Sequence, residues 1–209
     1  GEIRRGRYAA SRAELLEQGG LELRGCRIGL FGLGNIGRAV VPLAKAFGCS
    51  VAACDAFWPE EFAAENGVER MDVAELFAEC DVVSLHCPLT DETYHMINKD
   101  TIAQMKDDVI LVNTSRGALV DSEELIQGIR QGKFFGVGLD VYEEEGDNVF
   151  ENREDELLQH SITARLLSFP NVIITSHQGF LTREALAAIS RTTLQNAVDY
   201  ENRTIHEAN

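Results

Sequence analysis

Between about residue 25 and residue 177, short apolar runs alternate with longer amphipathic stretches. That alternation is the pattern of βαβ units that build a parallel sheet. The runs that read as strands are CRIGLFG (26–32), SVAACD (50–55), a short VERM (68–71), DVVSLHC (81–87), VILVNTS (109–115), FFGVGLDV (134–141) and NVIITS (171–176). Their near-continuous aliphatic and β-branched content marks strands buried on both faces, as parallel strands are. Helices fit between them at 36–47, 73–79, 99–105 and 122–131, the last behind Asp121 or Ser122 as N-cap. The expected fold class is α/β, a doubly wound parallel sheet.

The flanks follow a different pattern. Residues 1–18 read as a polar helix ended by the Gly19-Gly20 break. Residues 182–201 begin at a capping Thr182 and set Leu186, Ile189, Thr193, Ala197 and Tyr200 at helical spacing. Each flank is expected to pack on something outside the central sheet. The polar stretch 146–170 reads as an excursion carrying one or two short helices. The division is therefore a helix and linker over 1–20, a sheet domain over 21–180 and a returning helix over 181–209.

The net charge of -15 argues against nucleic acid and anionic membrane surfaces as partners. An anionic ligand therefore needs a local positive feature. Five cysteines, Cys26, Cys49, Cys54, Cys80 and Cys87, are odd in number and lack CxxC spacing, which suggests neither a disulfide framework nor a zinc site. With no signal-peptide core and no membrane-length apolar run, the expected location is the cytoplasm. The chain begins at Gly1 without Met and reads as part of something longer.

Gly32-x-Gly34-x-x-Gly37 lies directly after an apolar strand and opens a helix whose first residues are Asn35 and Ile36. There the first glycine allows a tight turn, the second lets a pyrophosphate approach the backbone, and the third lets helix and strand pack closely. Asp55 ends the next strand, 18 residues past Gly37, where a carboxylate can accept from the adenosine ribose hydroxyls. Asp55 would repel a 2′-phosphate, and no arginine sits beside it, so the expected cofactor is NAD in a Rossmann-type sheet.

Further candidates lie at later strand ends. Cys87 and Pro88 of HCPLT are placed to touch the adenosine side. Thr114 and Ser115 of NTSRG lead into Arg116, the only Arg or Lys between Lys106 and Arg130. Its planar fork suits a carboxylate, with a surface salt bridge as the competing reading. His177 ends the last strand, and on a shared carboxyl edge it could meet both Arg116 and the acidic turn at Glu143, Glu144 and Glu145. His with carboxylate and Arg is a sensible set for moving a proton beside a hydride.

With these residues assembled, FGLGNIGR, SLHCPLTDETYHMIN, VNTSRGALVDSEELI, GLDVYEEE and HQGFLTREAL…SRTTLQN closely resemble the NAD-dependent D-2-hydroxyacid dehydrogenases, and within them the bacterial fermentative D-lactate dehydrogenases. The resemblance implies that Arg116 holds the substrate carboxylate and polarises its carbonyl, that His177 is the acid/base, and that a glutamate orients it. The family pattern D-V-[FY]-E-x-E gives that role to Glu145, faces Asp140 to the nicotinamide, and leaves Glu143 and Glu144 as solvated surface residues. The 32 residues from Glu145 to His177, and Phe180 in HQGF, are similar to the lactate branch. Thr93 departs from the Asn that many lactate enzymes carry near the cofactor. The family also implies a first domain ahead of residue 1, pyruvate as the 2-oxo acid reduced, and homodimers or higher homo-oligomers.

Overall fold

The computed structural model describes residues 20–143, 162–179 and 181–202. Seven strands form one parallel sheet in the order β3-β2-β1-β4-β5-β6-β7. They are β1 (Arg27–Phe31), β2 (Ser50–Cys54), β3 (Glu69–Arg70), β4 (Val82–Leu85), β5 (Val109–Asn113), β6 (Phe134–Leu139) and β7 (Val172–Ile174). The order reverses between β1 and β4, which both pair with one another in parallel register, Ile28 opposite Val82 and Phe31 opposite Leu85. The Rossmann-type expectation holds.

Helices cover both faces: α1 (Asn35–Ala46), α2 (Glu60–Asn66), α3 (Val73–Glu79), α4 (Lys99–Gln104), α5 (Ser122–Arg130), α6 (Ile162–Leu167) and α7 (Arg183–Glu201). Strand side chains alternate between two cores, as a period of two requires. Leu30 and Val82 pack with Val41 and Ala44 of α1, whereas Phe31 and Val83 pack with Leu76, Phe77, Ile126 and Leu166 of the opposite helices. Local chemistry fixes the helix starts. Asp72 and Glu75 form a capping box on α3, Asp121 accepts from the Glu124 N–H to cap α5, and Thr182 caps α7.

Helix α2 was not expected, because Glu60–Asn66 offers little apolar periodicity. Its punctuation was present all the same: Pro59 stands at the N-cap and Gly67, at φ 55°, at the left-handed C-cap. The expected excursion helix exists as α6, which buries Leu166 completely. Four strands stop two or more residues short of their apolar runs, because the final residues leave the ladder and turn over the carboxyl edge. Helix α7 has no buried residue among those described, so its apolar stripe stays uncovered there. Among the described residues no helix is long and apolar enough to cross a membrane. The expected helix over 1–18 lies outside the described residues.

Phe77 is fully buried and stacks at a tilt on Phe31, ring centroids 4.9 Å apart. Phe77→Ala should destabilise the domain by about 3–5 kcal/mol through lost burial and the cavity left behind. The check is a fall in urea midpoint with an unchanged denaturant slope.

Candidate active site at the carboxyl edge

The glycine-rich turn carries the constraints that its sequence implied. Gly32 adopts φ 99°, and a Cβ there would press on the His86 carbonyl carbon at 2.8 Å. A Cβ on Gly37 would overlap the Gly32 carbonyl oxygen, so the start of α1 can approach β1 only without one. Gly34, by contrast, has open space where a side chain would stand, which is room for a ligand against the backbone. It is also the N-cap of α1, with no side-chain cap and no acidic residue in the first turn, so Asn35, Ile36 and Gly37 present N–H groups to an anion.

Asp55 does more than the sequence required. One carboxylate oxygen accepts the Leu33 N–H at 2.5 Å and the other the Phe57 N–H at 2.7 Å. Each oxygen retains acceptor capacity for a ribose hydroxyl. Glycines, uncapped helix and carboxylate together fit the two phosphates and the adenosine ribose of NAD.

Across the switch point, Cys87 and Pro88 follow β4. The half-buried Cys87 thiol points to the Met96 sulfur at 3.6 Å, and burial pushes it up to about 11, leaving a neutral thiol near pH 7. Its carbonyl accepts the Ser115 hydroxyl at 2.6 Å, which ties this turn to the next. Thr93 donates to the Pro88 carbonyl at 2.7 Å and accepts from the Thr90 N–H at 2.8 Å, so its hydroxyl closes the HCPLT turn.

The NTSRG turn is organised by a residue that the sequence reading did not single out. Asn113 is fully buried, accepts the Ser115 N–H at 3.0 Å and donates to the Arg116 carbonyl at 2.8 Å. A polar residue ending the apolar run VILVN was the available signal. Thr114 and Arg116 are exposed. Arg116 donates to the Ser115 carbonyl at 2.8 Å and meets no carboxylate among the described residues.

His177 follows β7 at φ 51°, a left-handed conformation that costs a non-glycine residue energy and is imposed by its surroundings. Asp140 imposes it. The Asp140 carbonyl accepts the His177 N–H at 2.8 Å, and its carboxylate accepts from the Thr175 hydroxyl, the Gln178 N–H at 3.1 Å and the Gly179 N–H at 3.3 Å. Burial alone would raise this carboxyl, but those bonds, joined by the His177 charge, hold it below the usual range. Arg116 and His177 follow β5 and β7, two strand spacings apart, roughly 10 Å.

Of the three glutamates of the acidic turn, Glu143 lies among the described residues. Glu145, Glu144 and Phe180 lie outside the described residues. Glu143 is not a solvated surface residue as expected. One of its oxygens meets His95 Nε2 at 2.6 Å, and the other accepts the Ser122 N–H at 3.0 Å. Burial opposes its ionisation, yet those partners hold the carboxyl below its ordinary value. Among the described residues no group of three or more His, Cys, Asp or Glu is arranged to hold a metal.

Residues 2–179 match the family described as D-isomer specific 2-hydroxyacid dehydrogenase, NAD binding domain. The chain belongs to this family. D-Lactate dehydrogenase of Escherichia coli K12 is 46% identical over 182 residues, covering 87% of this chain and 55% of that protein. An aromatic 2-oxoacid reductase of Clostridium sporogenes is 43% identical over 183 residues, with the same coverage of 87% and 55%. The crystal structure of Aquifex aeolicus D-lactate dehydrogenase with NAD and lactic acid superposes with a TM-score of 0.86 at 33% identity, over 97% of this chain and 60% of that one. The chain thus spans about half the length of the curated relatives it matches. NAD is the cofactor of this dehydrogenase domain, and the geometry of the glycine turn and Asp55 is compatible with it.

If Asp55, which pins Leu33 and Phe57, also takes the ribose hydroxyls, Asp55→Ala should weaken NADH binding about 10- to 100-fold, the effect of losing charged hydrogen bonds. Fluorescence titration of NADH reads this directly.

Proposed function

We propose that the protein carrying this chain reduces a small 2-oxo acid to the D-2-hydroxy acid, with pyruvate to D-lactate as the specific reaction. The observation that supports it most is the pairing of an exposed Arg116, free of carboxylate partners among the described residues, with His177 held in a left-handed turn on the same sheet edge. A bound NADH would supply hydride to the carbonyl carbon.

The chain's own residues do the rest. Arg116 grips the substrate carboxylate with its fork and draws charge onto the carbonyl oxygen. His177, protonated, delivers its proton to that oxygen as the carbon is reduced, and takes it back in the reverse direction. Asp140 sets the turn from which the imidazole reaches. The family pattern gives Glu145, which lies outside the described residues, the role of orienting the imidazole. Thr114, Ser115, Cys87, Pro88 and Thr93 shape the backbone against the cofactor. The proposal includes the division into linker, NAD domain over 21–180 and returning helix, homo-oligomerisation, and a further domain that would exclude water from the transfer.

Pyruvate is favoured by the E. coli relative, whereas the C. sporogenes relative, named for aromatic 2-oxo acids, supports a larger side chain. Turnover of pyruvate against phenylpyruvate by the full-length protein separates them. A second reading, NAD(H) binding without turnover, is favoured for the isolated chain by its coverage of 55% of those relatives. Mixing the chain with NADH and pyruvate and following nicotinamide absorbance decides it.

In the full-length protein His177→Gln should cut turnover by orders of magnitude, about 10²- to 10⁴-fold, with NADH affinity nearly unchanged. Glu145→Gln should shift the pH profile of reduction. Near-normal turnover in the first removes His177 from the proton. Arg116→Lys keeps the charge and loses the fork, so KM for the 2-oxo acid should rise, and an unchanged KM takes Arg116 off the carboxylate.

A further inference from the structure

The turn that carries Arg116 is enclosed from two sides. On one, residues 95–97 run beside 118–121: the His95 N–H donates to the Ala118 carbonyl at 2.9 Å, Ile97 to Leu119 at 3.0 Å, and Asp121 back to Ile97 at 2.8 Å. On the other, the segment after β6 presses on Gly117, where a Cβ would overlap the Tyr142 carbonyl and stand 2.7 Å from the Glu143 nitrogen. Only glycine permits that approach, directly after Arg116.

Glu143 joins the two sides. Its carboxylate meets His95 Nε2 at 2.6 Å on the first and the Ser122 N–H at 3.0 Å at the far end of the turn. The His95 ring is stacked on Tyr94 at 4.0 Å, with Nδ1 3.5 Å from the Asp121 carboxylate. His95 itself sits at φ 49°, a conformation that costs a non-glycine residue energy and needs its surroundings to hold it. An ordinary cap for α5 would need none of this, because Asp121 already caps that helix. Glu143 and His95 therefore strap residues 116–122 between two walls, with Arg116 at the open end.

We infer that Glu143, acting with His95, is a positioning residue for Arg116: the strap fixes the turn from which the guanidinium meets the substrate carboxylate. The inference rests on the substrate role proposed for Arg116. A loose turn would spread the guanidinium over several positions and weaken its grip on the 2-oxo acid, while the cofactor's phosphate site at α1 stays intact. Glu143→Gln keeps an acceptor for Ser122 and loses the charge facing His95, so it is the milder change.

The test uses the full-length enzyme, NADH, and whichever of pyruvate or phenylpyruvate it turns over faster. Glu143→Ala should raise KM for the 2-oxo acid about tenfold and Glu143→Gln about threefold, with NADH affinity within about twofold of the unmodified enzyme. In an Arg116→Lys background the same Glu143→Ala change should add less than about twofold, because its effect passes through Arg116. If Glu143→Ala does not fold, Glu143→Gln carries the same comparison in both backgrounds. An unchanged KM, an equal loss of NADH affinity, or the same factor with and without Arg116 overturns the inference. Arg116→Lys alone separates the two layers. An unchanged KM there removes the substrate role and the inference with it, whereas a raised KM beside an indifferent Glu143 overturns the strap alone.

Discussion

All seven strands run parallel, so every one delivers its last residues to the same edge. The backbone N–H groups that leave the ladder there need acceptors. Three short polar side chains meet that need. Asp55, after β2, accepts from Leu33 and Phe57; Asn113, ending β5, accepts from Ser115; and Asp140, after β6, accepts from Gln178 and Gly179. Each holds a turn in a non-repetitive shape that packing alone would leave free. The residues that define the candidate site are thus turn residues first, and their chemistry toward a ligand depends on turns that they themselves fix.

The same edge resolves how an acidic chain binds anions. Helices α2, α3 and α5 each carry glutamates in their first turns, which satisfy their own N-terminal dipoles. Helix α1 carries none, and Arg116 meets no carboxylate among the described residues. Positive character is therefore left at two places on this edge, one suited to a pyrophosphate and one to a carboxylate. Several cations elsewhere are paired, as Arg27 is with Glu69 and Glu79 and Lys106 with Asp81.

Much of this was legible along the chain. Strand and helix order followed from apolar period, and the cofactor turn from glycine spacing with a carboxylate at the next strand end. Legibility failed where the partner is distant. Asn113 looked like the tail of a strand, and its role emerges only when the turn folds back onto it. Glu143 looked like one of three equivalent glutamates, because its partner His95 is 48 residues away. The resemblance separated Glu145 from its neighbours through a family pattern; that pattern also fixes a glutamate at Glu143 but assigns it no partner. Helix α2 was passed over for a local reason, since Pro59 and Gly67 bound a segment with too few apolar positions to register as periodic.

The sequence by itself determined the fold class, the cofactor turn and the identity of Asp55, Arg116 and His177 as residues worth placing. The first two and Asp55 follow from short-range spacing, which backbone geometry reads within one βαβ unit; Arg116 and His177 follow from their places at strand ends together with the family resemblance. Tertiary structure decided which groups Asp55, Asp140 and Glu143 hold. The parallel register brings β5 and β6 side by side, sets Gly117 under the Tyr142 carbonyl, and carries Glu143 to His95 across a distance that no local pattern encodes.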